Sequence, residues 1–300
     1  MSAGQLTGDS ATRRSPAVFR DRLPQLLNRI VVYFFLCFGG IMVLMPLIWM
    51  ISTSLKAQTQ VFKVQPIWIP NPIEWGNYQE ALFGYSPNFL VFAKNTLIIE
   101  ALVVPGVLIS SSLAAYSFSR LRWPGRNIAF MAILSTMMLP SAVTLVPTFI
   151  GWSRLDAIDT FIPLTLPAWF GGGAFNIFLL RQFMSAIPRD LEDAALIDGA
   201  GYFYIFLRVI LPLVKPSLTA IAIFTFIGVW NDFFSQLIYI NSNDNFTIAL
   251  GLTLFKQLYG TKWNLLMAAS VATMIPIMVV LFVFQRRIIE GVNLTTGIKG

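Results

Sequence analysis

The sequence contains no histidine and only one cysteine, Cys37. Without histidine, the chain lacks the most common general base and the most common metal ligand of proteins. A single cysteine can form neither an intrachain disulfide nor a site built from several thiolates. These absences argue against a metalloenzyme, a histidine-dependent hydrolase and a disulfide-rich extracellular domain. We therefore expect neither catalytic residues nor a metal site in this chain.

Charged side chains are also scarce, at 12% of the 300 residues, about half of the share that is usual in soluble proteins. Hydrophobic residues make up 56% of the sequence, and the mean hydropathy is +0.70. These values predict an all-α polytopic membrane protein. The net charge of +7 is distributed as in a protein that is oriented in a membrane, so we expect no nucleic-acid partner.

Six apolar runs are long enough to cross a bilayer, which requires about 20 apolar residues. The predicted spans are residues 30–51, 94–119, 127–151, 160–181, 216–240 and 263–285. Prolines and glycines inside these runs indicate kinks, which membrane helices tolerate. The first run is longer than the core of a signal peptide, so we expect an anchor. The sequence thus predicts a six-span domain over residues 30–288, between an N-terminal tail (1–29) and a C-terminal tail (289–300).

Lysine and arginine are distributed unevenly between the two sides of these spans. Fifteen lie in the two tails and in the second-to-third and fourth-to-fifth connections, whereas six lie on the opposite side. Because cytoplasmic loops are enriched in lysine and arginine, we predict that both termini are cytoplasmic. The inner loop, residues 182–213, is then cytoplasmic, and the outer loop, residues 52–93, is predicted to be ordered by its prolines and aromatic residues.

The inner loop carries the pattern of a short helix over residues 188–199. Three acids fall in the first turn, where the helix dipole favours them, and Gly199 suits the position just past the end. Leu191, Ala194 and Ala195 share one face of such a helix. A helix this short is not stable alone in water, so it must pack against something. The pattern alone leaves open a helix lying on the membrane and a docking element for a cytoplasmic partner.

The same stretch resembles the EAA loop of ABC-transporter permeases, which runs E-A-A, three residues, G, nine residues, I-x-L-P. The matching positions are Asp193, Ala194, Ala195, Gly199, Val209, Leu211 and Pro212. Asp193 replaces the family's glutamate and Val209 replaces its isoleucine. Further matches lie at Asn77-Tyr78, Asn95-Thr96-Leu97, Trp230-Asn231-Asp232-Phe233 and Thr296 to Gly300. The resemblance covers nearly the whole chain and is to the carbohydrate branch, the MalG-like permeases.

This resemblance implies the type I ABC importer permease fold, with a cytoplasmic coupling helix, in a bacterial inner membrane. It implies one of two membrane subunits of a sugar importer, with a second, MalF-like permease, two ATP-binding cassette subunits inside and a substrate-binding protein outside. ATP with Mg²⁺ would belong to the ATPase subunits, because this chain has no G-x-x-x-x-G-K-[ST] motif and needs no cofactor of its own.

The resemblance also assigns roles to two groups of residues. Those that would couple the permease to the ATPase are Asp193, Ala194, Ala195, Gly199, Leu211 and Pro212. Those of the tail that would contact the ATPase are Thr296, Gly297, Lys299 and Gly300.

Glu100 and Asp232 are the two acids inside the predicted spans. Acids in a membrane are costly and usually face a cavity or a partner, and helix geometry places both in the outer part of their spans. Our hypothesis is that Asn231 and Asp232, with Glu100 and the adjacent Trp230, line the outer part of the translocation path. The alternative is that these groups make contacts between helices or subunits, or that Asp232 ends a helix.

Other functions remain as alternatives. A secondary transporter would often show an internal repeat and ionisable groups at the midplane, and a membrane enzyme would need a clustered base and nucleophile; neither pattern is seen. A scaffold would not require the EAA spacing. Within the ABC class, the substrate is open between a sugar and a glycerol-phosphate-type or polyol solute. The absence of arginine from the outer parts of the predicted spans favours a neutral sugar.

Overall fold

The computed structural model describes residues 17–257 and 262–296. Within those ranges the chain is helical, with no β-strand. The α-helices are α1 (Ala17–Ser54), α2 (Gln58–Val61), α3 (Gly76–Phe83), α4 (Phe89–Ser119), α5 (Arg126–Thr136), α6 (Ser141–Arg154), α7 (Ile162–Thr165), α8 (Ala174–Ala186), α9 (Asp190–Ile197), α10 (Tyr202–Ile205), α11 (Leu211–Leu213), α12 (Lys215–Trp230), α13 (Phe234–Tyr239), α14 (Ile248–Gln257) and α15 (Trp263–Thr296). The chain divides into two compact units, residues 1–51 and 52–300.

Four helical segments of the described chain are long and apolar enough to cross a membrane. They are Asn28–Ser54, Phe89–Ser119, Ile162–Ala186 and Trp263–Gln285. The third of these is not a regular α-helix throughout, since a 3₁₀ turn (Leu166–Trp169) and three glycines with positive φ (171–173) interrupt it. Each segment overlaps one of the spans predicted from the sequence.

Two further candidate spans are bent pairs of helices. Arg126–Thr136 and Ser141–Arg154 meet at 98°, and Tyr202–Leu213 and Lys215–Trp230 meet at 77°. By length and composition, the described chain therefore allows four crossings, or up to six if each bent pair is one span. The first bend falls inside the predicted span 127–151, where internal prolines indicate a kink, and the second falls just before the predicted span 216–240. The first bend precedes α6 at Pro140, where a proline disfavours helical backbone in the residue before it.

The long helix α4 is the centre of the second unit, and two hydrophobic clusters form along it. One cluster joins α4 to α8, α12 and the segment that follows α9; its buried members include Val107, Tyr116, Leu180, Met184, Ile205 and Ile221. The other joins the first turns of α4 to α3, α14 and α15; its buried members include Ala81, Phe92, Trp230, Leu254, Leu265 and Ala269. The first cluster includes residues of the inner loop, and the second includes residues of the outer loop. Helix α4 therefore connects the two loops.

Glycine allows the candidate span Ile162–Ala186 to lie close against α4. Gly172 has a φ of +60°, and a Cβ atom there would lie 2.7 Å from the carbonyl oxygen of Val107 and 2.8 Å from the Cβ of Ser111. The adjoining Ala168 carbonyl accepts a hydrogen bond of 2.8 Å from the Ser110 hydroxyl of α4. The break in this span is therefore a contact point between helices, and only glycine fits it.

Candidate functional site

The central element of the inner loop is α9, which has eight residues (Asp190–Ile197). Its first turn contains the three acids that favour a helix start. Its end is a Schellman motif: the amide of Gly199 donates to the carbonyl of Leu196 at 3.0 Å, and the amide of Ala200 donates to that of Ala195 at 2.9 Å. Gly199 has a φ of +83°, and a Cβ there would meet no atom within 4 Å. Glycine is therefore required at this position by backbone conformation.

Arg120, which follows α4 directly, holds the inner loop in place. Its guanidinium donates to the carbonyl of Ile187 at 2.7 Å and to that of Met184, so it satisfies the end of α8. Its Nε lies 3.3 Å from Oε1 of Glu192 in α9. The Arg120 side chain is 2% exposed and that of Glu192 is 13% exposed. One buried cation thus ties together α4, α8 and α9.

Burial shifts the pKa of both partners in this pair. Desolvation raises the pKa of the Glu192 carboxyl, and the charges of Arg120 and Arg189 oppose that shift. Desolvation also lowers the pKa of the Arg120 guanidinium, and the charge of Glu192 opposes it. In each case burial is the larger effect, so mutual attraction only partly offsets the cost of removing the two charges from water.

Aromatic packing adds a second connection between α4 and the inner loop. The Tyr116 hydroxyl donates to the carbonyl of Tyr202 at 3.2 Å, and the Tyr116 ring lies 5.1 Å from that of Phe206 between centroids. Phe206 begins a π-helical turn (Phe206–Ile210) that leads into α11. Ala195 of α9 is half-buried against the same cluster. The inward face of the loop is therefore fixed to the membrane helices.

The opposite face of this segment is exposed and largely apolar. Ile197 is 87% exposed, and Asp193 and Ala194 lie on the same open surface of α9. The other exposed hydrophobic side chains of the segment are Leu191, Leu196, Tyr202, Phe203, Tyr204 and Leu207. Several exposed apolar side chains in one short segment are typical of an interaction surface. We call the surface formed by the exposed residues between 191 and 207 the α9 face.

The other predicted coupling residues lie further along the chain. Leu211 is half-buried and Pro212 is exposed, both in α11 at the bend before α12. Thr296 is the last residue of α15. The predicted tail residues Gly297, Lys299 and Gly300 lie outside the residues that the structure describes.

Two of the four residues predicted to line a path, Glu100 and Trp230, come together in the interior of the chain. Each is 4% exposed. The Trp230 indole donates to the carbonyl of Thr273 in α15 at 3.2 Å. The Glu100 carboxylate lies beside the backbone of Trp230, and neither of its oxygens has a hydrogen-bond partner among the described residues. A buried carboxylate without partners is costly, which makes it a notable feature of the interior.

The other two, Asn231 and Asp232, lie where the helix breaks. α12 ends at Trp230, and Asp232 Oδ1 accepts a hydrogen bond of 3.1 Å from the amide of Ser235, so it caps α13. The amide group of Asn231 donates back to the carbonyl of Ile227 at 2.8 Å, and its side chain is exposed. The predicted run 216–240 thus contains a polar break in its outer part.

Sequence analysis did not identify the hydrogen-bond network that joins Asp159 and Asn95 to the loop after α13. Asp159, with φ +62°, accepts hydrogen bonds of 2.9 Å from the amides of Asn241 and Ser242. Those bonds, that from Ser242 most of all, lower the pKa of its carboxyl against the opposing effect of desolvation. Asn95 of α4 donates to the carbonyls of Asp244 at 2.7 Å and Phe246 at 2.9 Å. These bonds fix the loop after α13 to two other parts of the chain.

The outer loop is ordered around Asn77, as its composition predicts. The Asn77 amide donates to the carbonyls of Ser54 and Lys56, both at 2.9 Å, and its Oδ1 accepts from Asn264 of α15 at 2.9 Å. Asn77 falls in one of the stretches that carries the resemblance. Only that resemblance marked it in advance, because a lone asparagine in a loop has no distinctive spacing.

Comparisons with known proteins place these features in context. The family described as "Binding-protein-dependent transport system inner membrane component" matches residues 106–293. The arabinooligosaccharides transport system permease protein AraQ of Halalkalibacterium halodurans is 32% identical over 257 residues, which are 85% of this chain and 91% of AraQ. The sn-glycerol-3-phosphate transport system permease protein UgpE of Yersinia enterocolitica is 32% identical over 262 residues, 85% of this chain and 92% of UgpE.

A solved structure shows the same fold. It is the crystal structure of a bacterial ABC transporter involved in the import of the acidic polysaccharide alginate. One of its chains superposes with a TM-score of 0.76 at 24% identity, covering 89% of this chain and 97% of that chain.

Proposed function

The chain belongs to the family of binding-protein-dependent transport system inner membrane components, and from that premise we propose that it is the permease subunit of an ATP-driven sugar importer. Its fold is that of an ABC importer permease. In this proposal the subunit is not catalytic: two partner ATPase subunits bind ATP with Mg²⁺, and a second permease completes the path. A substrate-binding protein delivers the sugar from outside.

The observation that carries this proposal is the α9 face. A short helix is held rigidly from behind by a buried arginine, while its exposed side presents Ala194 and Ile197 to the surroundings. Small and apolar side chains allow close approach of another protein surface, and Asp193 adds a charge at the edge. We propose that this face docks on the ATPase and passes its closure to the membrane helices as a rigid-body movement.

The proposed topology has six crossings, each bent pair counting as one, with both termini in the cytoplasm. The excess of lysine and arginine on that side supports it. The end of α15 at Thr296, and Gly297, Lys299 and Gly300 after it, would then be on the side of the ATPase. Leu211 and Pro212 would set the direction in which the chain leaves the docking segment and enters α12.

Site-directed cross-linking tests the docking proposal. The single native cysteine is removed by C37S, and A194C is introduced on the α9 face. The variant is expressed in its native host, so that its partner proteins are present in the membrane. Oxidation or a short bifunctional reagent should join A194C to an ATPase subunit, in a yield that changes when ATP is added. V64C, at a fully exposed outer-loop position, is the matched control and should give no such product. Equal yields from both positions would contradict the proposal.

The substrate proposed is an uncharged sugar or oligosaccharide. AraQ, by its name a permease for arabinooligosaccharides, supports this class, as does the absence of arginine from the outer parts of the predicted spans. We propose that Asn231 and Asp232, at the outer helix break, contact the passing sugar, with Glu100 and Trp230 supporting them from within. Carboxylate and amide groups offer the hydrogen bonds that sugar hydroxyls require.

A glycerol-phosphate-type solute is the second candidate, because UgpE is as similar in sequence as AraQ is. Uptake assays with radiolabelled solutes separate the two. A strain lacking this chain should lose uptake of one or more oligosaccharides and regain it on complementation. Loss of glycerol 3-phosphate uptake alone would support the second candidate, and unchanged uptake of both would contradict the sugar proposal.

A further inference from the structure

We propose that an arginine-lined pocket at the inner end of the membrane helices binds the phosphate headgroup of an anionic lipid. The pocket has a volume of about 510 Å³ and lies where the chain leaves α4 and enters α5. Arg122 and Arg126 line it from that connection, and Arg189, which precedes α9, lines it from the inner loop. Its location at the cytoplasmic surface follows from the topology proposed above, on which this inference rests.

The three arginines bring positive charge to one place. None of them forms an ion pair in the part of the chain that the structure describes. Arg126 donates one hydrogen bond of 2.9 Å, to the carbonyl of Leu121, which fixes the guanidinium at the pocket wall. Guanidinium groups bind phosphate strongly through paired charge-assisted hydrogen bonds. An anion in this pocket would relieve the mutual repulsion of the three cations.

The first turn of α5 adds to this field. Gly125 precedes the helix with a φ of +82° and provides no side-chain cap. Asn127 and Ile128, in the first turn, form part of the pocket wall. The start of a helix favours a negative group, so the backbone here acts in the same direction as the arginines.

The walls of the pocket indicate that the anion belongs to a lipid. Trp123 and Ile128 line it and are 37% and 71% exposed, which suits acyl chains and glycerol better than a free ion in water. The pocket also lies between the end of α4 and the start of α5, which is the first half of a bent candidate span, and on the proposed topology this is headgroup depth. Tryptophan is enriched at that depth, and basic pockets between membrane helices on the cytoplasmic side are known to bind anionic headgroups.

Native mass spectrometry of the full-length chain tests the proposal. The purified chain, delipidated in a non-ionic detergent, is titrated with phosphatidylglycerol, with phosphatidylcholine and inorganic phosphate as comparison ligands. R122Q/R189Q keeps Arg126 and its hydrogen bond, so folding is preserved. R154Q, at the end of α6 and not in the pocket, controls for the loss of a positive charge outside the pocket. R122K/R189K retains the charge.

We expect wild type to bind phosphatidylglycerol in preference to phosphatidylcholine, with no competition from millimolar phosphate. At roughly fivefold per basic residue, R122Q/R189Q should bind about 25-fold more weakly, whereas R154Q should match wild type and R122K/R189K should stay close to it. Equal binding by wild type and R122Q/R189Q would overturn the proposal, as would wild-type binding without preference between the two lipids.

Two further outcomes would replace the lipid by another ligand. Displacement of the lipid by inorganic phosphate would identify a free-phosphate site. Loss of a partner protein from R122Q/R189Q in native membranes, with lipid binding unchanged, would identify a protein-docking surface. The titration uses this chain alone, so a failure to find an ATPase partner would contradict the proposed function and leave the lipid result standing.

Discussion

The guanidinium of Arg120, at the end of α4, lies 3.3 Å from the carboxylate of Glu192 in α9 and also donates to the final carbonyls of α8. One side chain therefore joins two membrane helices to the helix proposed to dock on the ATPase. Under that proposal, a displacement of α9 is transmitted to α4 through the buried Arg120–Glu192 ion pair and to α8 through the hydrogen bonds of Arg120. The connecting loop does not have to be stiff for this transmission to work.

Replacement of Arg120 or of Glu192 should destabilise the folded chain, by different amounts. E192Q leaves a buried guanidinium without its charge partner and should lower the free energy of unfolding by about 1–3 kcal/mol. R120Q also leaves two helix-end carbonyls without a donor, so it should cost more. Denaturant unfolding in mild detergent of both variants and of R120Q/E192Q gives the coupling energy, expected at about 0.5–3 kcal/mol. Strict additivity would show that the two side chains act independently.

The α9 face should be necessary for ATPase coupling and dispensable for folding. A194E places a larger, charged side chain on an exposed surface of α9, where it costs little in the isolated chain but obstructs a partner. ATPase activity of the assembled transporter should fall at least tenfold while the thermal midpoint of this chain stays within about 2 °C, as is usual for surface substitutions. V64E, on the outer loop, is the control. Full activity in A194E would place the ATPase contact elsewhere.

The hydrogen bonds that Asp159 accepts should make the free energy of unfolding depend on pH. Hydrogen bonds from the amides of Ser242 and Asn241 lower the pKa of its carboxyl. A group whose pKa is lower in the folded chain stabilises the fold above its unfolded pKa, about 4, and this contribution is lost as the pH falls through the folded value. D159N tolerates the positive φ and keeps an acceptor oxygen, but it lacks the charge.

We therefore expect D159N to have a lower thermal midpoint than wild type at pH 7 and the difference to shrink below about pH 4. Thermal unfolding of both proteins from pH 7 to pH 3 measures it. A difference that stays constant over that range would mean that the charge of Asp159 does not contribute.

The close contact between Gly172 and α4 gives a matched pair of glycine substitutions. G172A would force a Cβ to within 2.7 Å of the Val107 carbonyl oxygen at a φ of +60°, and should destabilise the chain by about 1–3 kcal/mol. G151A, within α6, would place a Cβ with no atom inside 4 Å, and should be neutral or stabilising by up to about 1 kcal/mol. Equal thermal midpoints for the two variants would contradict the close packing described here.

The helix break at Asp232 should matter for transport and not for folding. In D232N the amide oxygen can still cap the amide of Ser235, whereas the charge is lost. If Asp232 contacts the sugar, uptake should fall about tenfold, the effect of one charged hydrogen bond, with assembly unchanged. Uptake in vesicles with normal rate and normal solute preference would remove Asp232 from the path and leave it as a helix cap.

Local features of this fold could be predicted from the sequence because their causes are local. The acids of the first turn and Gly199 mark the two ends of α9, since both act on the backbone within one or two residues. Uncharged runs likewise predict the apolar helices, because a bilayer requires a fixed length of apolar chain. The motif in the inner loop led to the correct family because its residues and their spacing lie within one short stretch of sequence.

Features that depend on distant partners could not be predicted in this way. Nothing in the pattern around Arg120 indicates that it pairs with Glu192, and Asp159 looks like any acid at the edge of a span. Prolines in the run 127–151 predict a kink, but an apolar run does not give its size, so the 98° angle of the bend before α6 could not be predicted. Whether Glu100 faces a path or the interior depends on helix rotation, which a run without apolar periodicity does not specify.

Isolation of the transporter from its native membrane tests the central claim most directly. The tagged chain is purified in mild detergent beside I197D, which puts a charge in the middle of the α9 face, and V64D as the control. The account predicts that a P-loop ATPase and a second multi-span permease co-purify in a fixed ratio with wild type and V64D, and that I197D loses the ATPase alone. Wild type that elutes by itself, with no ATPase activity in its fractions, would contradict it.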